Sequence, residues 1–360
     1  MFGANLRFPK EELNLEPRPD WWMVRPEEII ATCQSVKRGQ ANVIAQTPGG
    51  FPVYAVFYGD FTEPAPQSNW SAGSSSNTYK SYFTREGGKQ TILFLAGIHG
   101  AEAESVCAAT NLIQMLETGK DFRGKTNDEL ASLIDQYRFI IIPCANMDGR
   151  AISPDHLRHA TFEDFRAVSQ GCWKSDGSLI GWRGSKEWFP LPLDKVKNPG
   201  GYPNADGFNI MHDACPGHIR TAEARGILQL CERWCVDAVL NAHSCEGQPH
   251  FIQPTLLFYP AHQRRGSVWA TTANDLMFKA GLRKEALAEP LKARGATFNL
   301  NTLMMYASGA LAVTLECSTC SLENNYTFDQ LIEPNYIALK VIMEDGLTAP
   351  IADRSTLFQG

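Results

Sequence analysis

Four short, largely apolar runs punctuate the chain: Ile92–Ala96 and Phe139–Pro143 without a polar residue, Val236–Ala242 interrupted by Asp237 and Asn241, and Leu311–Leu315 interrupted by Thr314. A run without polar alternation marks a strand covered on both faces. Between the runs lie segments of helical period. Val106, Ala109, Ile113 and Leu116 recur at spacings of 3, 4 and 3, up to Gly119, and Thr221–Trp234 reads the same way. Strands alternating with helices predict an α/β fold: a doubly wound, mixed, largely parallel sheet with helices on both faces. Ahead of the first run, Asn42–Tyr58 reads as a hairpin at the sheet edge, because Pro48, Gly49 and Gly50 separate two runs rich in Val, Ile, Tyr and Phe.

The length of 360 residues exceeds about 150 per domain, yet one α/β enzyme domain holds such a length. The expected organisation is an N-terminal extension over 1–40, a catalytic domain over 41–345 and a C-terminal tail over 346–360. Pro64–Tyr82, rich in Ser, Asn and Gly, reads as a loop. No period of about 20 to 50 residues marks a repeat protein. The net charge of −6, with no stripe of Lys and Arg, argues against a nucleic-acid partner. The apolar runs fall far short of the roughly 20 residues that span a bilayer. The first residues carry no apolar signal core, and ten cysteines without paired knuckles read as reduced thiols. A cytoplasmic protein is the expectation.

Ligands of an open α/β sheet bind beyond the carboxyl ends of its strands. After the first run stands Gly97-Ile98-His99-Gly100-Ala101-Glu102, after the second Asn146-Met147-Asp148-Gly149, after the third Asn241-Ala242-His243-Ser244, and after the fourth Glu316. Two imidazoles and a carboxylate suit a catalytic zinc, which keeps one position open for water, and a second carboxylate then serves as base. His-x-x-Glu spacing alone is weak, since His243 and Glu246 share it and Glu104 is a further carboxylate near His99. Position favours His99 with Glu102, whose strand-to-helix turn can aim both side chains at one point.

These four segments, in this order, resemble the zinc carboxypeptidase family. The resemblance implies one zinc ion per chain on His99, Glu102 and His243, a general base at Glu316, and a peptide or peptide-like substrate. The gaps, 141 residues from Glu102 to His243 and 73 on to Glu316, are of the family's order. The family also carries an Asp-x-Asn-Arg whose last two residues grip a substrate carboxylate. The matching stretch here is Asp206-Gly207-Phe208-Asn209-Ile210, which retains Asn209 and places Ile210 where the arginine would stand. Isoleucine cannot make the charge-assisted pair a carboxylate needs, so either a displaced arginine, Arg220 first among them, takes the role, or the substrate presents something other than a free carboxylate, for example an amidated, γ-linked or cell-wall-type peptide. For the arginine that polarises the scissile carbonyl, Arg183 and Arg150 are the leading candidates, with Arg158 and Arg166 behind them. The family's mobile tyrosine has no counterpart near Lys292–Gly295, leaving Tyr306 and Tyr259 as substitutes. Two other readings remain: a zinc amidohydrolase of small N-acyl amino acids, resembling the aspartoacylases, and a binding module without catalysis on the same fold.

Overall fold

The computed structural model describes residues 13, 15–62, 68–78, 82, 88–215, 217–252, 257–286, 297–320 and 325–352. Nine strands and eleven α-helices lie among them. The strands are β1 Gln40–Gln46, β2 Pro52–Tyr58, β3 Thr91–Ala96, β4 Arg138–Ile142, β5 Cys172–Trp173, β6 Val196–Asn198, β7 Ala238–Cys245, β8 His250–Ile252 and β9 Leu311–Ser318. The helices are α1 Pro26–Gln34, α2 Trp70–Ser75, α3 Ala103–Thr118, α4 Asp128–Ile134, α5 Met147–Ile152, α6 Phe162–Gln170, α7 Gly181–Glu187, α8 Ala222–Arg233, α9 Pro260–Lys279, α10 Leu300–Ser308 and α11 Phe328–Thr348.

Seven strands form one sheet in the order β1-β2-β4-β3-β7-β9-β8, while β5 and β6 pair separately. The four predicted runs are its parallel centre, β4-β3-β7-β9, flanked by the antiparallel hairpin β1-β2 and by antiparallel β8. Every residue of β3 and β4 is buried, as strands without polar alternation require. Helices α3 and α11 pack together, and so do α8 and α10. Trp22, Val24 and Ile29, from the stretch read as an extension, share the core cluster of the central strands, as does Ile351 beyond α11. Within the stretch read as a loop, Trp70–Ser75 forms a short helix whose first turn is capped by the Asn69 side chain, and Trp70 is buried against Tyr82. Loop composition concealed it because Ser and Asn also favour helix caps. Residues 64–67 and 79–81 of that stretch lie outside the described set. None of the ten cysteines is paired, and no helix among the described residues is long and apolar enough to cross a membrane.

One buried carboxylate makes the fold pH-sensitive. Glu223, in the first turn of α8, accepts a hydrogen bond from Asn204 Nδ2 (3.1 Å) on Oε1, and its Oε2 has no partner among the described residues. Burial above all, with Asp148 and Asp206 nearby, pushes the carboxyl up to about 7. The native state therefore holds a proton that the unfolded chain releases at a lower pH. This contribution is complete below the unfolded value and is lost as pH rises through the folded one. Glu223→Gln preserves the bond from Asn204 and carries no charge. It should raise the melting temperature at pH 8, by a stability gain of up to about 3 kcal/mol, and leave it unchanged near pH 4. Parallel pH profiles for variant and wild type in thermal melts would contradict this assignment.

Candidate metal centre

Three backbone segments are pressed together beneath the site. Gly97, at φ +59°, turns the chain out of β3, and the Gly100 N–H donates to the Gly201 carbonyl (2.7 Å). A Cβ on Gly100 would collide with the Gly149–Arg150 backbone, and one on Gly149 with the Gly201 carbonyl. The Asn-x-Asp-Gly turn secures this contact. Asn146 Oδ1 accepts from the Gly149 N–H (2.9 Å), while its Nδ2 donates to the Tyr202 carbonyl (2.9 Å). Asp148 accepts from Thr47 Oγ1 (2.5 Å), the Gly49 N–H (3.2 Å) and the Ala205 N–H (2.8 Å), tying the edge hairpin to the site loops.

On this support His99, Glu102 and His243 converge, all three buried, with one nitrogen or oxygen from each within 4.8 Å of the others. His99 Nε2 lies 3.2 Å from Asn209 Oδ1, an oxygen that also accepts from the Met211 N–H. An oxygen can only accept here, so Nε2 carries the proton in neutral His99 and Nδ1 carries the lone pair. That Nδ1 faces Glu102 Oε1 at 2.9 Å and His243 Nδ1 at 3.2 Å, while His243 Nδ1 lies 3.0 Å from Glu102 Oε2. Burial is the main influence on His99 and lowers its pKa. Burial would raise Glu102, but the two imidazoles outweigh it and hold the carboxyl below the usual range. Burial likewise opposes protonation of His243, yet Glu102 and Glu316 draw its pKa upward. A neutral imidazole and an ionised carboxylate that point lone pairs at one spot repel each other. A divalent cation between them removes the repulsion, so the donor set fits a metal ion with two nitrogen ligands and one carboxylate.

Glu316 sits opposite His243 in the β7–β9 register and lines the same cavity of about 270 Å³. The arginine on that cavity is Arg166, from α6. Its Nη2 pairs with Glu246 Oε1 (2.9 Å), and its guanidinium lies over Phe162 and Phe165, 4.8 and 5.5 Å from the ring centres. Tyr202 stacks on His99 with centroids 4.0 Å apart, and Trp182 meets Tyr202 edge-on. Behind the ligands, Glu104 accepts from Ser244 Oγ (2.6 Å), and burial pushes its carboxyl up to about 7.

The structure places the other expected residues elsewhere. Arg150 is buried away from the cavity and donates to the Pro154 carbonyl. Arg183 is exposed on α7 and lines no part of the cavity. Arg220 is also exposed, with its guanidinium over Phe189 and Phe208, 5.9 and 5.7 Å from their centres. Arg158 is held by the Tyr326 carbonyl and Glu16. Ile210 is completely buried in the core, and Asn209 turns its Oδ1 to His99 while its buried Nδ2 has no hydrogen-bond partner among the described residues. Tyr306 donates to the Leu257 carbonyl (3.2 Å) and packs near Tyr259, and neither lines the cavity. Residues 292–295 lie outside the described set. Tyr202, Glu246 and His250 line the cavity without having been selected from sequence. Glu246 had a visible signal, its position three residues after His243.

A family model described as zinc carboxypeptidase matches residues 44–174, the hairpin through β5. Three solved structures extend the likeness over nearly the whole chain. A metallo-carboxypeptidase from Burkholderia cenocepacia is 15% identical, with 89% of this chain and 68% of that one covered at a TM-score of 0.51. Bovine thrombin-activatable fibrinolysis inhibitor is 12% identical, with coverage of 92% and 99% and a TM-score of 0.52. A metallo-carboxypeptidase from Pseudomonas aeruginosa is 13% identical, with coverage of 88% and 67% and a TM-score of 0.52. The chain has the zinc carboxypeptidase fold. The resemblance carried by the four strand-end segments therefore stands. No curated protein sequence matches the chain.

For a chain of this zinc carboxypeptidase fold, the geometry predicts a graded response to mutation. His99→Ala and His243→Ala should abolish binding of one divalent ion per chain, and Glu246→Gln should leave it unchanged. Asn209→Leu, which removes the acceptor that orients His99, should weaken binding about 10- to 100-fold. Competition with a chromophoric chelator measures all four, and wild-type affinity in His99→Ala would refute the ligand assignment.

Proposed function

We propose that the chain is a zinc-dependent hydrolase of peptide or amide bonds, with one zinc ion per chain on His99, Glu102 and His243. The observation that carries this reading is the presence of Glu316 and Arg166 on the cavity that holds the ligand cluster. Zinc, when bound, lowers the pKa of a water molecule to about 7 and polarises a carbonyl. Glu316 is the general base. It takes a proton at its carboxylate from the attacking water and makes that proton available to the departing amine. Arg166 donates to the carbonyl oxygen as negative charge develops there. Its pair with Glu246 and its place over two phenylalanine rings fix the guanidinium before substrate arrives. Trp182, Tyr202 and Phe165 supply an apolar wall that strengthens these polar contacts by displacing water. The absence of a disulfide among the ten cysteines supports a reducing, cytoplasmic setting.

Glu316→Gln separates binding from chemistry. The variant should keep its metal and lose kcat by about 10²- to 10⁴-fold. Loss of metal in that variant would make Glu316 a ligand instead. Arg166→Lys keeps the charge but not the planar fork, and should cost kcat about 10²-fold on a peptide substrate. Unchanged kcat in Arg166→Lys would remove it from the proposed machinery.

A further inference from the structure

His250 occupies the other side of Glu316 from the metal ligands. In the sheet, Glu316 of β9 is directly opposite His243 of β7 and directly opposite His250 of β8. Residues opposite each other on neighbouring strands project from the same face, with Cβ atoms about 5 Å apart. The three side chains thus form a row across three strands, and all three line the cavity. The imidazole is also oriented. His250 Nδ1 lies 3.0 Å from the Gln248 carbonyl, which can only accept, so Nδ1 carries the proton and Nε2 carries the lone pair of the neutral ring. A carbonyl on Nδ1–H also favours the imidazolium, because a charged donor makes the stronger bond. The strand is anchored from behind: Asn274 Oδ1 accepts from the Phe251 N–H (2.9 Å), and Arg283 Nη1 donates to the Pro249 carbonyl (2.6 Å).

We infer that His250 is a second proton-transfer residue, coupled to Glu316, which delivers the proton to the leaving amine. The inference rests on the hydrolase reading above. Glu316 takes a proton from water as the water oxygen bonds to the carbonyl carbon. Glu316 passes this proton to His250 Nε2. The C–N bond then breaks with its electron pair on nitrogen, which takes the proton from Nε2. Water has been added across the amide, and both residues return to their starting states. No outside reagent is consumed. A histidine suits this step because its ordinary pKa lies near neutrality, so it can both accept and release the proton. The charged and titratable groups facing it are Glu316 on β9, Cys245 and Glu246 at the end of β7, Arg166 on α6 and Arg283 after α9, with the ligand cluster beyond Glu316.

The test uses the full-length protein loaded with zinc, together with His250→Gln and His250→Ala. Both variants should keep the metal and the wild-type circular dichroism spectrum. They should lose kcat on a peptide substrate about 10- to 100-fold with KM within about threefold of wild type. Free imidazole should restore kcat to His250→Ala in proportion to its concentration, and it should not affect wild type. A loss confined to KM, or a loss that imidazole cannot rescue, would overturn the inference while leaving the hydrolase reading intact. A second readout is independent of turnover. In ¹⁵N-histidine NMR spectra, the His250 signal should show a protonated Nδ1, and its titration midpoint should fall in Glu316→Gln. An unmoved midpoint, or a protonated Nε2 in the neutral ring, overturns the coupling even if the protein cleaves no peptide. Failure of the hydrolase reading shows separately, as absence of wild-type turnover.

Discussion

Glu102 stands, almost wholly buried, between two imidazoles 2.9 and 3.0 Å away. Burying an ionised carboxylate costs several kcal/mol unless charge and hydrogen bonds compensate it. Compensation here comes from His243 and from the Ser244 N–H (3.2 Å). Only one tautomer of His99 satisfies Asn209, and that tautomer aims a lone pair at the carboxylate. The three side chains therefore form a set of lone-pair donors that fits a divalent cation. Much else in the molecule serves to hold it: the collision-free packing of Gly100 on the Gly149–Arg150 backbone, the Asn146 and Asp148 clamps, and the stacked Tyr202 ring.

The central strands were legible because their apolar runs leave no second reading, and the structure extends them by only a few residues. Val236–Ala242 becomes Ala238–Cys245, and Leu311–Leu315 becomes Leu311–Ser318. The polar ends were missed for a physical reason. At the carboxyl ends of the strands the side chains face a cavity instead of a core, so apolar periodicity stops where function starts. β8 escaped notice because three residues carry no period.

The site divides in the same way. His99, Glu102, His243 and Glu316 share one cavity, as their places at the ends of strands led one to expect, because position there restricts orientation. The arginines belong to segments between strands, and sequence spacing there says little about direction. Arg150 looked well placed directly after the Asn-x-Asp-Gly turn, but a residue of α5 following a tightly packed glycine is carried inward, and its guanidinium is buried. Arg166, ranked from sequence behind Arg183 and Arg150, lines the cavity and is paired there with Glu246, 80 residues later. Asn209 was assigned to substrate because the family pattern was aligned on its asparagine. Its oxygen is held by His99, and its Nδ2 has no hydrogen-bond partner among the described residues.

The proposed zinc site takes two imidazoles and one carboxylate from this rim, and the nearby thiol of Cys245 has no part in it. X-ray absorption at the zinc edge of the loaded protein tests it most directly. The expected spectrum shows only nitrogen and oxygen neighbours at about 2.0–2.2 Å, with the multiple scattering of two imidazole rings. A sulfur neighbour at about 2.3 Å, or the scattering of a single imidazole, would contradict it.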